Sequence, residues 1–317
     1  MIARAPVALP AYAADVAEGL LRSPKSLPCK LFYDNAGSIL FEEITRLPEY
    51  YLTRAELEIL RLNAPEIAEA AGAGITVVEL GSGTAVKTCT LLHGICRRQL
   101  RIPYFPVDIS SAALSQARQR VEEQCSQVSV HPVVADFSEG FDFLRRIPGH
   151  KLVLYLGSSI GNFDPEAAVE MLQQIRAQLA LGDSLLLGTD LVKSASVLVP
   201  AYDDAQGITA QFNKNILRRL NRELGANFNL ESFQHLAKWN PVQSRMEIYL
   251  ESEPSQTVHL RSLALDIHFS AGERIHTENS YKYTLAMVND LLEAGGFTLT
   301  QTWFDPCKWF ALHLANI

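Results

Sequence analysis

Short apolar runs alternate with helical patterns between residues 76 and 190. The runs have the length of strands and lie at Thr76–Leu80, Tyr104–Val107, Val128–Val134, Leu152–Leu156 and Ser184–Leu187. Helical spacing fills the intervals, notably at Ser111–Cys125 and at Pro165–Leu181, where Asp164 is the predicted N-cap and Gly182 follows the end. Apolar strands that alternate with helices predict a parallel sheet covered on both faces, which is a doubly wound α/β core.

The pattern changes after Asp190. Residues 191–224 have mainly helical spacing, whereas Gln243–Glu251 and Thr257–Phe269 alternate apolar and polar residues. Alternation with a period of two is typical of antiparallel strands that are buried on one face. We therefore predict an inserted α+β domain between the two halves of the core.

The C-terminal pattern returns to the core. Helical spacing at Tyr281–Ala294 precedes two strand-like runs, Thr298–Phe304 and Trp309–Leu314, which Asp305 and Pro306 join as a hairpin. Four segments are predicted. Residues 1–58 join the substrate domain, and residues 59–190 form the ligand-binding core. Residues 191–277 form the inserted substrate-binding or lid domain, and residues 278–317 complete the core.

Composition and charge narrow the function classes. Apolar residues make up 48% of the 317 residues, and the net charge is −7 without a long run of Lys or Arg. This balance disfavours a nucleic-acid partner. We find no apolar stretch of membrane-spanning length and no leader pattern, so we expect a cytoplasmic protein without a membrane partner. The expected partner is a small-molecule substrate, and the expected oligomeric state is a monomer. The five cysteines form no metal-binding or disulfide pattern, and we predict no metal site.

A glycine-rich turn follows the first strand of the core. Glu79-Leu80-Gly81-Ser82-Gly83-Thr84 runs directly from apolar strand into turn, where glycine allows close approach of a ligand to the backbone. Val86 occupies the position of the third glycine of the dinucleotide motif. The turn therefore favours a ligand without a phosphate over NAD, and weighs against an NAD-dependent oxidoreductase.

S-adenosylmethionine is a ligand whose parts match the side chains at this edge of the sheet. Asp108 ends the second strand and suits the ribose hydroxyls, while Asp136 and Phe137 end the third and suit adenine. Lys87, inside the next helix, suits the methionine carboxylate. A second turn of small residues, Gly157–Asn162, follows the fourth strand, where we expect the methyl acceptor to approach.

The chain resembles the S-adenosylmethionine-dependent L-histidine Nα-methyltransferases of ergothioneine biosynthesis. The likeness covers nearly the whole chain and includes segments outside the cofactor core. These segments are Pro24–Pro28, Phe32–Asp34, Ile44–Tyr51, Glu79–Thr84, Gly157–Asn162, Ala201–Asp204, Gly207–Asn213 and Thr277–Ser280. The resemblance implies a Rossmann-like class I methyltransferase sheet with an inserted substrate-binding domain.

The resemblance also implies roles for individual residues. Asn162 and Tyr202 would hold the substrate carboxylate, and Glu278 and Ser280 would hydrogen-bond the imidazole. The remaining acceptor residues would be Tyr50 beside the substrate, Tyr33 facing the α-amino group, and Thr209, Phe212 and Ile248 lining the pocket. The cofactor residues would be Gly81, Ser82, Lys87, Asp108, Asp136, Phe137, Gly157 and Ser158. Ile248 stands where family members can carry Met, which bears on substrate preference more than on reaction type.

Methyl transfer requires that the amine and the methyl group are positioned correctly, and it does not require a nucleophilic side chain. Transfer from a sulfonium is an in-line displacement by the neutral amine, whose lone pair must lie about 3 to 3.5 Å from the methyl carbon. Tyr33 and Tyr50 are the predicted catalytic residues because they can orient the amine, while the proton can leave through water. The products are S-adenosylhomocysteine and, after three rounds, a trimethylammonium cation that aromatic faces can accommodate.

Three alternatives remain open at this stage. The acceptor can be another free amino acid, such as tryptophan or tyrosine, although Glu278 would be poorly satisfied by an indole. The other two alternatives are the oxidoreductase and a cofactor-binding sensor or assembly subunit without turnover. A panel of amino acids incubated with labelled cofactor separates all of these.

Overall fold

A computed structural model of the chain describes residues 9–137 and 140–317. Residues 1–8 of the predicted N-terminal segment lie outside the described residues. The helices within the described residues are α1 (Ala13–Leu21), α2 (Asn35–Ile44), α3 (Leu52–Ala70), α4 (Val86–Cys96), α5 (Ser111–Gln124), α6 (Phe143–Arg146), α7 (Pro165–Arg176), α8 (Ala195–Leu198), α9 (Ile208–Leu224) and α10 (Leu285–Ala294). The strands there are β1 (Lys25–Ser26), β2 (Ile75–Leu80), β3 (Ile102–Asp108), β4 (Val128–Val130), β5 (Val133–Val134), β6 (His150–Tyr155), β7 (Ser184–Asp190), β8 (Phe233–Asn240), β9 (Arg245–Ser252), β10 (Gln256–Leu260), β11 (Leu265–Phe269), β12 (Arg274–Tyr281), β13 (Thr298–Phe304) and β14 (Phe310–Asn316).

The chain forms two compact units. The N-terminal unit consists of Met1–Tyr51, described from residue 9, and Ser194–Ser280. The C-terminal unit consists of Leu52–Lys193 and Tyr281–Ile317. The four segment limits predicted from the sequence stay a prediction.

The C-terminal unit contains an eight-stranded sheet. Its order is β13-β14-β7-β6-β2-β3-β4, with β5 beside β3. β2, β3, β4, β5, β6 and β7 pair in parallel, whereas β14 is antiparallel to both β7 and β13. This arrangement confirms the predicted α/β fold with its terminal hairpin.

Burial explains why the core strands are continuously apolar. Every residue of β2 and β7 is buried, because a parallel sheet carries helices on its faces. α7 and α10 contribute Leu172, Ile175, Val288 and Leu292 to one buried cluster with these strands. Because these strands are buried, their polar side chains, such as Glu79, require hydrogen-bond partners.

Three predicted elements of this unit differ from the structure. The run Val128–Val134, predicted as one strand, forms two strands, β4 and β5, separated by residues 131–132. α7 ends at Arg176 rather than at Leu181, and Gly182, with φ of 96°, belongs to the turn before β7. The predicted helix from Tyr281 begins at Leu285 instead, because Thr284 is the N-cap and accepts from the amide of Met287.

The N-terminal unit is built on a four-stranded sheet with the order β1-β12-β9-β8. β8 and β9 form an antiparallel pair, and β10 and β11 form a separate hairpin. The run Thr257–Phe269, predicted as strand throughout, is therefore interrupted at residues 261–264. The sequence pattern missed β8 and β12, and Glu278 and Ser280 lie on the second of these strands.

We expect the packing of the central strand β7 to dominate the stability of the C-terminal unit. Leu186→Ala removes a side chain that is 0% exposed, and should lower the free energy of unfolding by about 2 to 5 kcal/mol. Leu181→Ala is the matched control, since Leu181 is 86% exposed in the same unit. Urea denaturation measures both variants, and equal losses would contradict the assignment of the core.

Candidate functional site

The carboxyl ends of β2 and β3 form the first part of the candidate site. The amides of Gly81 and Ser82 both donate to the carbonyl of Val107, at 2.9 and 3.1 Å. The amide of Gly83 donates to Oδ2 of Asp108 at 3.0 Å. The glycine-rich turn is thus held against the end of β3, and the positive φ of Gly81 and Gly83 favours glycine there.

The turn leaves polar groups and space for a ligand. Ser82 Oγ is buried and has no hydrogen-bond partner among the described residues. A Cβ atom added at Gly83 would meet no atom within 4 Å, and one at Gly81 would meet only the ring of Phe137 at 4.0 Å. An open backbone turn beside an aromatic ring and the carboxylate of Asp108 fits the predicted adenosyl ligand.

Glu56 on α3 is a site residue that the sequence pattern missed. Its side chain is 0% exposed, forms an ion pair with Lys87, and accepts from the amide of Gly157 at 2.7 Å through Oε1. One carboxylate therefore joins the helix after the first turn to the turn after β6. The available signal was an acid among the apolar positions of α3, between Ala55 and Ile59.

The position of Lys87 is set by this ion pair. A Cβ atom at Gly157 would lie 3.5 Å from Lys87 Nζ, so the ammonium group lies beside the second small-residue turn. The side chain keeps 22% exposure. Lys87 therefore lies between both glycine turns, although its binding to a ligand carboxylate stays a prediction.

Glu79 lies inside the core behind the first turn. Its carboxylate accepts from the hydroxyl of Thr88 at 2.6 Å and from the hydroxyl of Tyr104. Burial raises the pKa of Glu79 to about 7, although both hydroxyl donors act in the opposite direction. These partners place Glu79 in a structural role that anchors β2 to α4 and β3.

The second turn is held by the ends of two other segments of the C-terminal unit. Ser158 has a φ of 59°, and its Oγ accepts from the amide of Asp190 at 2.8 Å. A Cβ atom at Gly161 would lie 2.8 Å from the carbonyl oxygen of Tyr281, so only glycine fits this close approach. Asn162 ends the short 3₁₀ turn that these contacts position.

An aromatic cluster in the N-terminal unit brings several predicted acceptor residues together. Phe212 contacts the ring of Tyr33 at a centroid distance of 5.8 Å, and both rings contact Phe41. Phe41 contacts Tyr50 at 6.2 Å, which contacts Tyr202 at 6.5 Å. Edge-on contacts of this kind fix ring orientation beyond simple burial.

A hydroxyl pair extends this cluster to β12. Tyr202 Oη and Ser280 Oγ lie 2.8 Å apart, and Ser280 is buried. Glu278 lies two residues earlier on the same strand, so its side chain shares the face of Ser280. Burial, together with the nearby charge of Glu278, raises the pKa of the Cys29 thiol to about 12.

The remaining acceptor residues lie on α9 and β9. Thr209 Oγ1 donates to Oδ1 of Asp204 at 2.6 Å, so this hydroxyl serves the N-terminal turn of α9. Ile248 is buried on β9, opposite Ala237 of β8. Asp136 follows β5 and is partly buried. The structure thus brings Tyr33, Tyr50, Tyr202, Phe212 and Ser280 into one cluster, and their binding roles stay predictions.

Comparison with known proteins places this geometry in context. The model of a family described as "Histidine-specific methyltransferase, SAM-dependent" matches residues 12–317. The chain is 46% identical over 303 residues to a histidine N-alpha-methyltransferase of Mycolicibacterium smegmatis, covering 95% of this chain and 93% of the relative. It is 31% identical over 283 residues to ergothioneine biosynthesis protein 1 of Schizosaccharomyces pombe. This alignment covers 86% of this chain and 36% of that longer protein.

A relative of lower identity is named for a different amino-acid derivative. The chain is 27% identical over 312 residues to a 4-dimethylallyltryptophan N-methyltransferase of Epichloe festucae var. lolii, covering 92% of this chain and 90% of the relative.

No helix within residues 9–137 and 140–317 is long and apolar enough to cross a membrane.

The raised pKa of Glu79 gives a testable pH dependence of stability. A carboxyl group whose pKa is raised by folding binds more protons in the folded state, so stability falls as pH rises from 4.5 to about 7 and levels off above that. Glu79→Gln removes this titration. We expect the stability of the variant relative to the wild type to rise by up to about 3 kcal/mol across that window.

Urea denaturation between pH 5 and pH 8 measures this difference. A difference between wild type and Glu79→Gln that is constant with pH would show that Glu79 is charged throughout, and would contradict the raised pKa.

Proposed function

The chain belongs to the histidine-specific, S-adenosylmethionine-dependent methyltransferases, and from this premise we propose that it methylates the α-amino nitrogen of L-histidine. Three transfers give Nα,Nα,Nα-trimethylhistidine (hercynine), the first step toward ergothioneine. The observation that carries the proposal is the 46% identity to a histidine N-alpha-methyltransferase over 95% of the chain. The chain is therefore an enzyme, and neither an oxidoreductase nor a sensor without turnover.

Tryptophan or tyrosine is the alternative acceptor. Its support is weaker, because the relative named for a tryptophan derivative is 27% identical, against 46% for the histidine enzyme. The carboxylate of Glu278 also favours a side chain that can donate a hydrogen bond.

The cofactor end of the C-terminal unit supplies binding and orientation. S-adenosylmethionine provides an electrophilic methyl group on a sulfonium. We propose that Asp108 accepts from the ribose hydroxyls, that Asp136 and Phe137 hold the adenine, and that Lys87 binds the methionine carboxylate. The open backbone at Gly81, the unpaired buried hydroxyl of Ser82 and the Gly157-Ser158 turn complete the proposed cofactor residues.

The acceptor residues of the N-terminal unit select histidine. Glu278 and Ser280 lie on one face of β12, so both can hydrogen-bond an imidazole. Tyr202, whose hydroxyl lies 2.8 Å from that of Ser280, is proposed to bind the substrate carboxylate. We propose the same role for Asn162, which belongs to the C-terminal unit. Thr209, Phe212 and Ile248 are proposed to line the pocket, and the buried aliphatic side chain of Ile248 offers no polar contact.

Two tyrosines of the aromatic cluster are proposed to orient the amine. Tyr33 is 41% exposed and Tyr50 is buried, and both can hydrogen-bond the neutral amine, which then presents its lone pair. After the third transfer the nitrogen carries no proton, and the faces of Tyr33, Tyr50 and Phe212 can stabilise the trimethylammonium cation by about 0.5 to 2 kcal/mol each.

One experiment tests the reaction and the acceptor together. Purified protein is incubated with methyl-labelled S-adenosylmethionine and each of the twenty amino acids. We expect label in histidine alone, and mass spectrometry should find it on the α-nitrogen in mono-, di- and trimethylated products. Label in tryptophan or tyrosine but not in histidine would overturn the proposed acceptor.

Glu278 should determine acceptor affinity. Glu278→Ala removes a charge-assisted hydrogen bond, and we expect the KM for histidine to rise by about 10- to 100-fold while the affinity for S-adenosylhomocysteine stays unchanged. Glu253→Ala, at an exposed position of the same unit, is the matched control. Steady-state kinetics and calorimetry give both values. An unchanged KM would remove Glu278 from the site.

Asp108 should determine cofactor affinity. Asp108→Ala removes the carboxylate proposed to bind the ribose, and we expect the Kd for S-adenosylhomocysteine to rise by about 10- to 100-fold. Since the same side chain also accepts from the amides of Gly83 and Ser110, Asp108→Asn is measured beside it and should show a smaller loss. Calorimetry that finds wild-type affinity in Asp108→Ala would exclude the ribose contact.

A further inference from the structure

A chain of buried hydrogen bonds lies behind the aromatic cluster of the N-terminal unit. Thr277 Oγ1 donates to Asn213 Oδ1 at 2.8 Å, and Asn213 Nδ2 lies 2.9 Å from His235 Nδ1. His235 Nε2 lies 2.8 Å from the carbonyl oxygen of Tyr202. Thr277 and Asn213 are each 1% exposed and His235 is 9% exposed, so water does not compete strongly for these groups.

The partners determine which nitrogen of His235 carries the proton. Asn213 Nδ2 also donates to the carbonyl oxygen of Tyr249 at 2.9 Å, and a carbonyl can only accept, so the amide orientation is settled. The second amide hydrogen then points at His235 Nδ1, which must accept it. The imidazole is therefore the neutral tautomer with its proton on Nε2, and this proton is donated to Tyr202.

The surroundings keep this histidine uncharged. Burial lowers the pKa of His235, and the cation of Lys214 acts in the same direction. The carbonyl of Tyr202 and the carboxylates of Asp203 and Asp204 act in the opposite direction. A charged imidazole would also direct a second N–H at the amide hydrogens of Asn213, which costs a buried hydrogen bond.

We propose that His235 is a positioning residue of the acceptor site, which holds Tyr202 by its carbonyl so that the Tyr202 hydroxyl stays beside Ser280. This inference rests on the proposed function, in which Tyr202 binds the substrate carboxylate. His235 acts through Tyr202 and touches neither substrate nor cofactor.

The same network reaches the other proposed acceptor segments. Asn213 follows Phe212 on α9, Thr277 precedes Glu278 on β12, and Thr277 Oγ1 lies 3.1 Å from the carbonyl oxygen of Ile248 on β9. Edge-on ring contacts orient neighbouring rings but do not fix the backbone segments that carry them, whereas these hydrogen bonds join α9 directly to β12 and β9. The network therefore supplies the alignment of three segments that packing alone leaves adjustable.

Removal of the N–H donor of His235 should weaken the binding of the methyl acceptor and leave the binding of the cofactor unchanged. His235→Phe keeps a ring of similar size but loses both hydrogen bonds, and we expect the KM for histidine to rise about tenfold. The affinity for S-adenosylhomocysteine, which the C-terminal unit binds, should stay within twofold. His268→Phe is the matched control, because His268 occupies an exposed position on β11 of the same unit.

The conservative variants separate positioning from bulk stability. The amide of His235→Gln is long enough to reach the Tyr202 carbonyl, whereas that of His235→Asn is too short. We expect His235→Gln to recover most of the wild-type KM and His235→Asn to resemble His235→Phe. If His235→Phe does not fold, this pair decides alone, and an equal KM in both would overturn the inference.

A double-mutant cycle with Tyr202→Phe tests the route of the effect. If His235 acts through the Tyr202 hydroxyl, the KM of the double variant should equal that of Tyr202→Phe, instead of rising by the product of both factors. Full multiplicativity, or an unchanged KM in folded His235→Phe, would refute the positioning role. A wild-type enzyme that does not methylate histidine would refute the proposed function instead, whatever the variants show.

Discussion

The parallel alignment of β2, β3 and β6 is the constraint on which the proposed cofactor site depends. Parallel strands end at the same edge, so residues far apart in the chain meet where the strands stop. Glu56 reinforces this meeting point from α3, because its one buried carboxylate holds both Lys87 and the amide of Gly157. Burial of a carboxylate is costly without such partners. The position of the Glu56 carboxylate therefore determines where Lys87 and the Gly157 amide lie.

The N-terminal unit is the one that we propose to recognise the small polar acceptor. Its rings cluster by burial and by edge-on contacts, which orient neighbouring rings without fixing the segments that carry them. The hydrogen bonds from Thr277 through Asn213 and His235 to Tyr202 join those segments to one another. An aromatic cluster backed by a satisfied polar network can present hydroxyl groups in one arrangement, and this is what selective binding of an amino acid requires.

The elements that the sequence pattern predicted correctly are those with an unambiguous local signal. The core strands are continuous apolar runs that are buried on both faces, and the terminal hairpin is bounded by turn residues. β8 was missed because its buried positions include His235 and Ala237, which do not stand out as apolar beside their neighbours. β12 was missed because Thr277, Asn279 and Ser280 are also typical of helix N-caps, and only pairing with β1 and β9 makes this segment a strand.

The sequence by itself determined the class of sheet, the glycine turn that favours a ligand without phosphate, and, through its motifs, the family. Each of these depends on patterns within a few residues of the chain, where period and turn chemistry act locally. The tertiary structure alone decided that Glu56 joins Lys87 to the Gly157 turn and that His235 is neutral and bonded to the carbonyl of Tyr202. Those assignments depend on pairs up to about a hundred residues apart, which only packing brings together.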